Sequence, residues 1–328
     1  MKKAVKSALE KRNRRLLLCL LLLVVVTGCA SVPEPGEGGY SGLLYRRGSV
    51  LFILNVEEDR EFSEYIVSKV MEAHTAESFL DRTDRIYVRL FEGGTSGSGG
   101  TNLSGETGFE LIAEGRYPRR LGGFALKREG WEKMNEPSVW WNSSEDNLQI
   151  AFPSSRIAAV SQDNMEGLLS RIHEPKNAAA LPQKVNTLSE NSSLYIYGEK
   201  PQLSSYFNSR IENLLSRVEE FRMGFYPTSA AGTKDTDGSG TNRSGTEGSG
   251  TYRVDGEYRF SEESTARSFL LSLRLALLSR AGAEGKNSVM EIVEKRYVTQ
   301  KGRSVHISGM HIRGEDIDLL FGIFTPQF

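Results

Sequence analysis

The chain of 328 residues is poor in the side chains that most often carry chemistry. It has two cysteines, Cys19 and Cys29, and none after residue 29. This excludes a disulfide, a cysteine nucleophile and a cysteine-type zinc site anywhere in 30–328. It has four histidines, His74, His173, His306 and His311, and no HExxH. His306 and His311 stand five apart on one expected strand, where odd spacing puts them on opposite faces. They could share a metal only across a bulge, so no metal site is expected. A P-loop in either glycine-rich loop is also excluded, because GxxxxGK[ST] between a strand and a helix is absent. Thr233-Lys234 has the wrong surroundings, and no serine stands in a GxSxG at a strand-to-helix elbow. No cofactor is implied.

Long apolar runs are scarce too. One occurs, Leu16–Val26, interrupted only by Cys19. It is preceded by Lys2, Lys3, Lys6, Lys11, Arg12, Arg14 and Arg15 and followed by Thr27, Gly28 and Cys29. A basic region, a short apolar core and small residues are the parts of a secretory signal. The run falls short of the about 20 apolar residues of a spanning helix. Val26-Thr27-Gly28-Cys29 resembles the lipobox of bacterial lipoprotein precursors. The resemblance covers residues 1–29. It implies diacylglycerol on the Cys29 thiol, cleavage between Gly28 and Cys29, and acylation of the new amino group. The absence of aspartate after Cys29, where Ala30 and Ser31 stand, implies the outer rather than the inner membrane. Lipid chains contribute about 0.8 kcal/mol per buried CH₂, and two or more anchor stably.

Of the 41 basic and 42 acidic residues, seven and one respectively lie in 1–28, which leaves the remainder at −7. A mildly acidic body argues against nucleic acid as the partner. The expected partners are the membrane, through lipid on Cys29, and an envelope protein or apolar ligand.

Organisation follows from periodicity. Residues 29–48, with Pro33, Pro35 and several glycines, read as a tether, and Leu43, Leu44 and Tyr45 begin the fold or dock on it. A first block over 49–172 reads as strand, helix capped by Asp59 to about His74, strands 85–91 and 109–118, a helical stretch near 119–134, strands 139–141, 148–153 and 156–161, and a helix near 163–172. A second block over 193–328 reads as strand 193–198, helix 201–218, strands 219–227 and 251–260, helix 262–281, and strands 289–300 and 303–313 turning at Lys301-Gly302. GEDIDLLFGIF (314–324) closes it. Residues 173–192 are the connection.

Both blocks carry a glycine-serine-threonine loop between equivalent strands, GSGGTNLSGETG from Gly97 and GSGTNRSGTEGSG from Gly238. Such low-complexity loops can expand independently, so the element order carries the repeat. The expected fold is α+β, a tandem duplication of an antiparallel sheet unit with helices on one side.

Trp131, Trp140 and Trp141 form the dense aromatic group. Adjacent Trp140 and Trp141 in a strand must point to opposite faces. Core packing against the helix near 119–134 is the favoured role, and contact with a partner or membrane is the alternative. The helix at 262–281 is apolar nearly all round but interrupted by Arg267 and Arg274, which excludes it as a span. It is either a core helix or the wall of an apolar groove. Acidic pairs such as Glu57-Glu58, Glu219-Glu220 and Glu262-Glu263 read as caps and turns. The functional expectation is a lipid-anchored, non-catalytic binding or assembly module. An envelope hydrolase using convergent carboxylates is the second reading, and a structural spacer the third.

Overall fold

A computed structural model of the chain describes residues 39–68, 73–92, 107–135, 138–143, 147–162, 164–175, 181–201, 216–228, 250–284 and 297–313. Gly28, Cys29, most of both Gly/Ser loops, most of the expected helix 201–218 and the segment 314–324 lie outside the described residues.

Among the described residues twelve strands form one antiparallel sheet. In chain order they are β1 (Val50–Asn55), β2 (Thr83–Glu92), β3 (Thr107–Gly115), β4 (Glu132–Met134), β5 (Trp140–Ser143), β6 (Leu148–Ser154), β7 (Ile157–Ser161), β8 (Leu194–Glu199), β9 (Val218–Pro227), β10 (Thr251–Phe260), β11 (Val298–Lys301) and β12 (Ser304–Arg313). The described helices are α1 (Ser41–Leu44), α2 (Arg60–Ser68), α3 (Ala73–Leu80), α4 (Arg119–Arg128), α5 (Met165–His173), α6 (Gln183–Glu190) and α7 (Glu263–Glu284).

The centre of the sheet is the pairing of β1 with β8. Outward from it, one side runs β2-β3-β7-β6 and ends in the hairpin β5-β4, while the other runs β9-β10-β12-β11. Each Gly/Ser loop connects two adjacent antiparallel strands, β2 to β3 and β9 to β10. The α+β class therefore stands.

The helices do not keep to one side. Phe62, Val67, Phe79, Leu126, Phe269 and Leu273, from α2, α3, α4 and α7, share the larger core cluster. Leu43, Leu44, Leu168, Leu169 and Val185, from α1, α5 and α6, pack on the opposite face around Leu51, Ile53 and Tyr197. The reason is compositional. VLFILN, IAAVS and LYIYG are apolar on both faces and need cover on both. By contrast β10 alternates, with Tyr252, Val254, Tyr258 and Phe260 inward and Arg253 and Arg259 exposed.

Local signals behaved as their chemistry dictates. Asp59 caps α2, its Oδ1 accepting from the Phe62 amide at 3.0 Å. Asn164 caps α5 by accepting from the Gly167 amide at 2.7 Å. Gly302 turns the β11–β12 hairpin with φ of 57°. Four expectations are corrected. Helical structure, expected to end near His74, reaches Leu80 in α3. The stretch 119–134 is helical only to Arg128, and 132–134 pairs with β5. The connection 173–192 contains α6. Finally, β12 carries the bulge that places His306 opposite Glu257 and His311 opposite Arg253, on one face rather than two. Gly309, with φ of 62°, makes the bulge, and its amide donates to Asp255 Oδ1 at 2.8 Å.

Candidate functional site

Three surfaces carry the molecule's unusual chemistry. The first is α7. Ala266, Phe269, Leu270 and Leu273 of this helix are in the core. The stripe on its other side runs through Leu271 and Leu275, which are 56% and 65% exposed. These two stand at i, i+4, so they form one ridge. Arg274 does not belong to that ridge, since its Nη2 donates to the Val298 carbonyl at 2.8 Å and ties α7 to the edge strand β11. On the same face of the sheet, α4 exposes Phe124 (66%). Among the described residues no helix is long and apolar enough to cross a membrane.

The second surface is the face of β9, β10 and β12 opposite α7. It is a lattice of cross-strand charges. Arg222 pairs with Glu257 directly across β9 and β10, and Glu220 pairs with Arg259 at 2.6 Å two residues further along. These four side chains line a shallow depression of about 270 Å³. Burial pushes the Glu257 carboxyl up, but the hydrogen bond and charge of Arg222, with His306 and Ser304 adding, hold it below the ordinary carboxylate value. A carboxylate held ionised is poorly placed to donate a proton. His306 and His311 share this face. They are four strand steps apart, about 13 Å, and no group of three metal-ligating side chains gathers among the described residues.

The third surface lies across the sheet's centre, under α5. Glu110 is buried at 3% exposure, and its Oε2 accepts from both Arg89 Nη1 at 2.9 Å and Arg171 Nη2 at 2.7 Å. Arg46 follows α1, its Nη1 donating to the Tyr45 carbonyl at 2.6 Å. Beside it, the Tyr45 hydroxyl donates to Glu199 Oε2 at 2.5 Å, and burial together with this bond pushes the phenol pKa far up. The residues ahead of β1 are thereby fastened to β8.

Trp131, Trp140 and Trp141 are all buried. Trp141 lies in the larger cluster, close to Gly123 of α4, with Trp131 beside the end of that helix. Trp140 lies in the cluster on the other face. The packing role favoured from sequence accounts for these positions, and the structure brings Trp131 and Trp141 into one cluster while separating Trp140. Sequence reading missed the charged ladder. Its signal was present as ionisable residues inside apolar stretches, Arg89 in YVRLF and Glu110 in GFELI, but the pairing needs the strand register.

The profile of the family described as outer membrane-associated lipoprotein TP0453 matches residues 43–300. Solved structures titled as crystal forms of TP0453 share the fold. Crystal form III has a TM-score of 0.54 at 16% identity, covering 90% of this chain and 99% of that one. Crystal form I has a TM-score of 0.53 at 14% identity, covering 90% and 100%. No curated protein matches the sequence. The chain belongs to the outer membrane-associated lipoprotein TP0453 family and is an outer-membrane-associated lipoprotein of the bacterial envelope.

Proposed function

We propose that this member of the family is a non-catalytic binding module, anchored through lipid on Cys29, that lays the outer ridge of α7 against the apolar boundary of the membrane. One observation carries the reading: Leu271 and Leu275 are well exposed on a helix whose opposite side is already filled by the core. A helix apolar on both sides has one side left to cover. In a membrane-associated protein the nearest apolar surface is the bilayer.

The test separates anchor from surface. Cys29→Ala abolishes fatty-acid labelling, and a variant that still labels would overturn the anchor. In the Cys29→Ala background, Leu271→Asp with Leu275→Asp lowers flotation with phosphatidylcholine–phosphatidylglycerol vesicles, with the thermal midpoint kept. Unchanged flotation would overturn the α7 surface. Flotation absent in both, with a stoichiometric envelope protein recovered from the native membrane and lost in the double variant, would replace the bilayer by a protein partner.

We further infer that the sheet arose by tandem duplication of an α+β unit, 49–172 and 193–328. Support comes from the matching order of pairing outward from β1 and β8 and from the repeated Arg–Glu pair. A crystal structure of this chain in which β1, β2, β3, β6 and β7 failed to superpose on β8, β9, β10, β11 and β12 would sink the idea.

A further inference from the structure

We propose that the arginine cluster around Glu110 is a binding site for a phosphate-type oxyanion, formed by Arg46, Arg89 and Arg171 between β2, β3, α5 and the segment after α1. Two guanidiniums share one carboxylate oxygen, Glu110 Oε2. The Nε–H groups of both Arg89 and Arg171 are buried and meet no acceptor among the described residues. A buried donor without an acceptor is costly, and here there are two, on neighbouring cations. Arg46 adds a third guanidinium. Its pKa is lowered first by burial, then by the charges of Arg171 and Arg89, and Glu110 alone opposes the shift. Arg89 and Arg171 bond one carboxylate, and Arg46 is near enough for all three charges to act on it, so among the described residues three cations share one carboxylate, an excess of two positive charges.

The molecule contains its own control. Counting outward from the β1–β8 pair, Leu51 faces Arg89 and Tyr197 faces Arg222; Arg89 then faces Glu110 and Arg222 faces Glu257. In the second ladder one arginine forms the ion pair with one glutamate. Five residues before Leu51 stands Arg46, whereas five before Tyr197 stands Ser192. A structural ion pair at this sheet position thus requires only a matched pair, and Arg46 and Arg171 are surplus to it. An uncompensated, partly buried cation is tolerated when an anion is supplied. Guanidinium forks fit phosphate oxygens bidentately, and a phosphomonoester of about −2 charge equals the excess. The cluster is not sealed, because the Arg89 and Arg171 side chains keep 15% and 19% exposure.

The anion could come from solution or from a lipid headgroup, and the experiment separates them. The wild-type protein is titrated with inorganic phosphate against chloride at equal ionic strength, and its binding to phosphatidylcholine vesicles is measured with and without phosphatidic acid. Saturable phosphate binding, weakened about tenfold or more in Arg46→Gln and Arg171→Gln and unchanged in Arg222→Gln, establishes a site for free phosphate. Binding only to phosphatidic-acid vesicles, with the same pattern among variants, establishes a headgroup site. Arg46→Gln removes no partner of Glu110, so it serves if Arg171→Gln fails to fold. No response to either probe, or a response that Arg46→Gln leaves intact, overturns the proposal. The site is independent of Leu271 and Leu275, so its failure and that of the α7 surface are distinguishable.

Discussion

Leu51 and Tyr197 face each other where β1 meets β8, and the pairs Arg89–Glu110 and Arg222–Glu257 stand in the next two strands on either side. The two ion pairs occupy matching register but different surroundings. Helix α5 covers Glu110 and brings Arg171 to it, whereas Glu257 keeps a quarter of its side chain exposed.

This difference sets the cost of removing each carboxylate. Glu110→Gln leaves two guanidiniums partly buried without their counter-charge, and the expected loss is about 3–5 kcal/mol. Glu257→Gln costs about 1 kcal/mol or less, since water reaches the pair. Urea unfolding of both variants checks the order; equal losses would mean that burial does not separate them.

The Arg222–Glu257 pair also makes a pH prediction. Glu257 titrates below its ordinary value of 4.5 in the folded chain. The unfolded state therefore takes up its proton first as pH falls. The stability from this pair is fully present above about 4.5 and is lost as pH drops through the depressed value. Thermal midpoints measured down the acid limb should fall less steeply in Glu257→Gln than in the wild type.

Asn55 holds the two halves together from within. It is buried, and its Nδ2 donates to the carbonyls of Ser189 and Ser192, in the turn from α6 into β8. Asn55→Ala removes both bonds; the Ser189 carbonyl keeps the Ser192 hydroxyl as donor, while the Ser192 carbonyl loses the Asn55 amide, at about 1–3 kcal/mol for a buried unsatisfied group. A melting temperature within error of wild type would contradict this.

Gly115 closes β3 where no side chain fits. A Cβ there would lie 1.8 Å from the Arg82 carbonyl oxygen. Gly115→Ala should cost about 3 kcal/mol, the upper end for overpacking. Gly130 has φ of 84° but open space around it, so Gly130→Ala should cost only about 1 kcal/mol of backbone strain. Differential scanning calorimetry of the pair distinguishes steric from conformational need.

The elements whose evidence is local were legible. Alternation in TYRVDGEYRF marked β10 to the residue, and Asp59 announced a helix start through a side chain that satisfies a nearby amide. Helix α6 was missed because QKVNTLSE offers a single apolar stripe, Val185 and Leu188, with no capping side chain at Pro182. The faces of His306 and His311 were misassigned because a one-residue bulge reverses every side chain beyond it.

The sequence by itself determined the class of elements and their order, because hydrophobic period and turn chemistry act over a few residues. The tertiary structure decided what those elements do together. Leu51 and Tyr197 are far apart in the chain and adjacent in the sheet. Glu110 meets Arg171 only because β7 returns beside β3 and carries α5 over it. Charge pairing and burial depend on such long-range register, which closes only when the whole sheet forms.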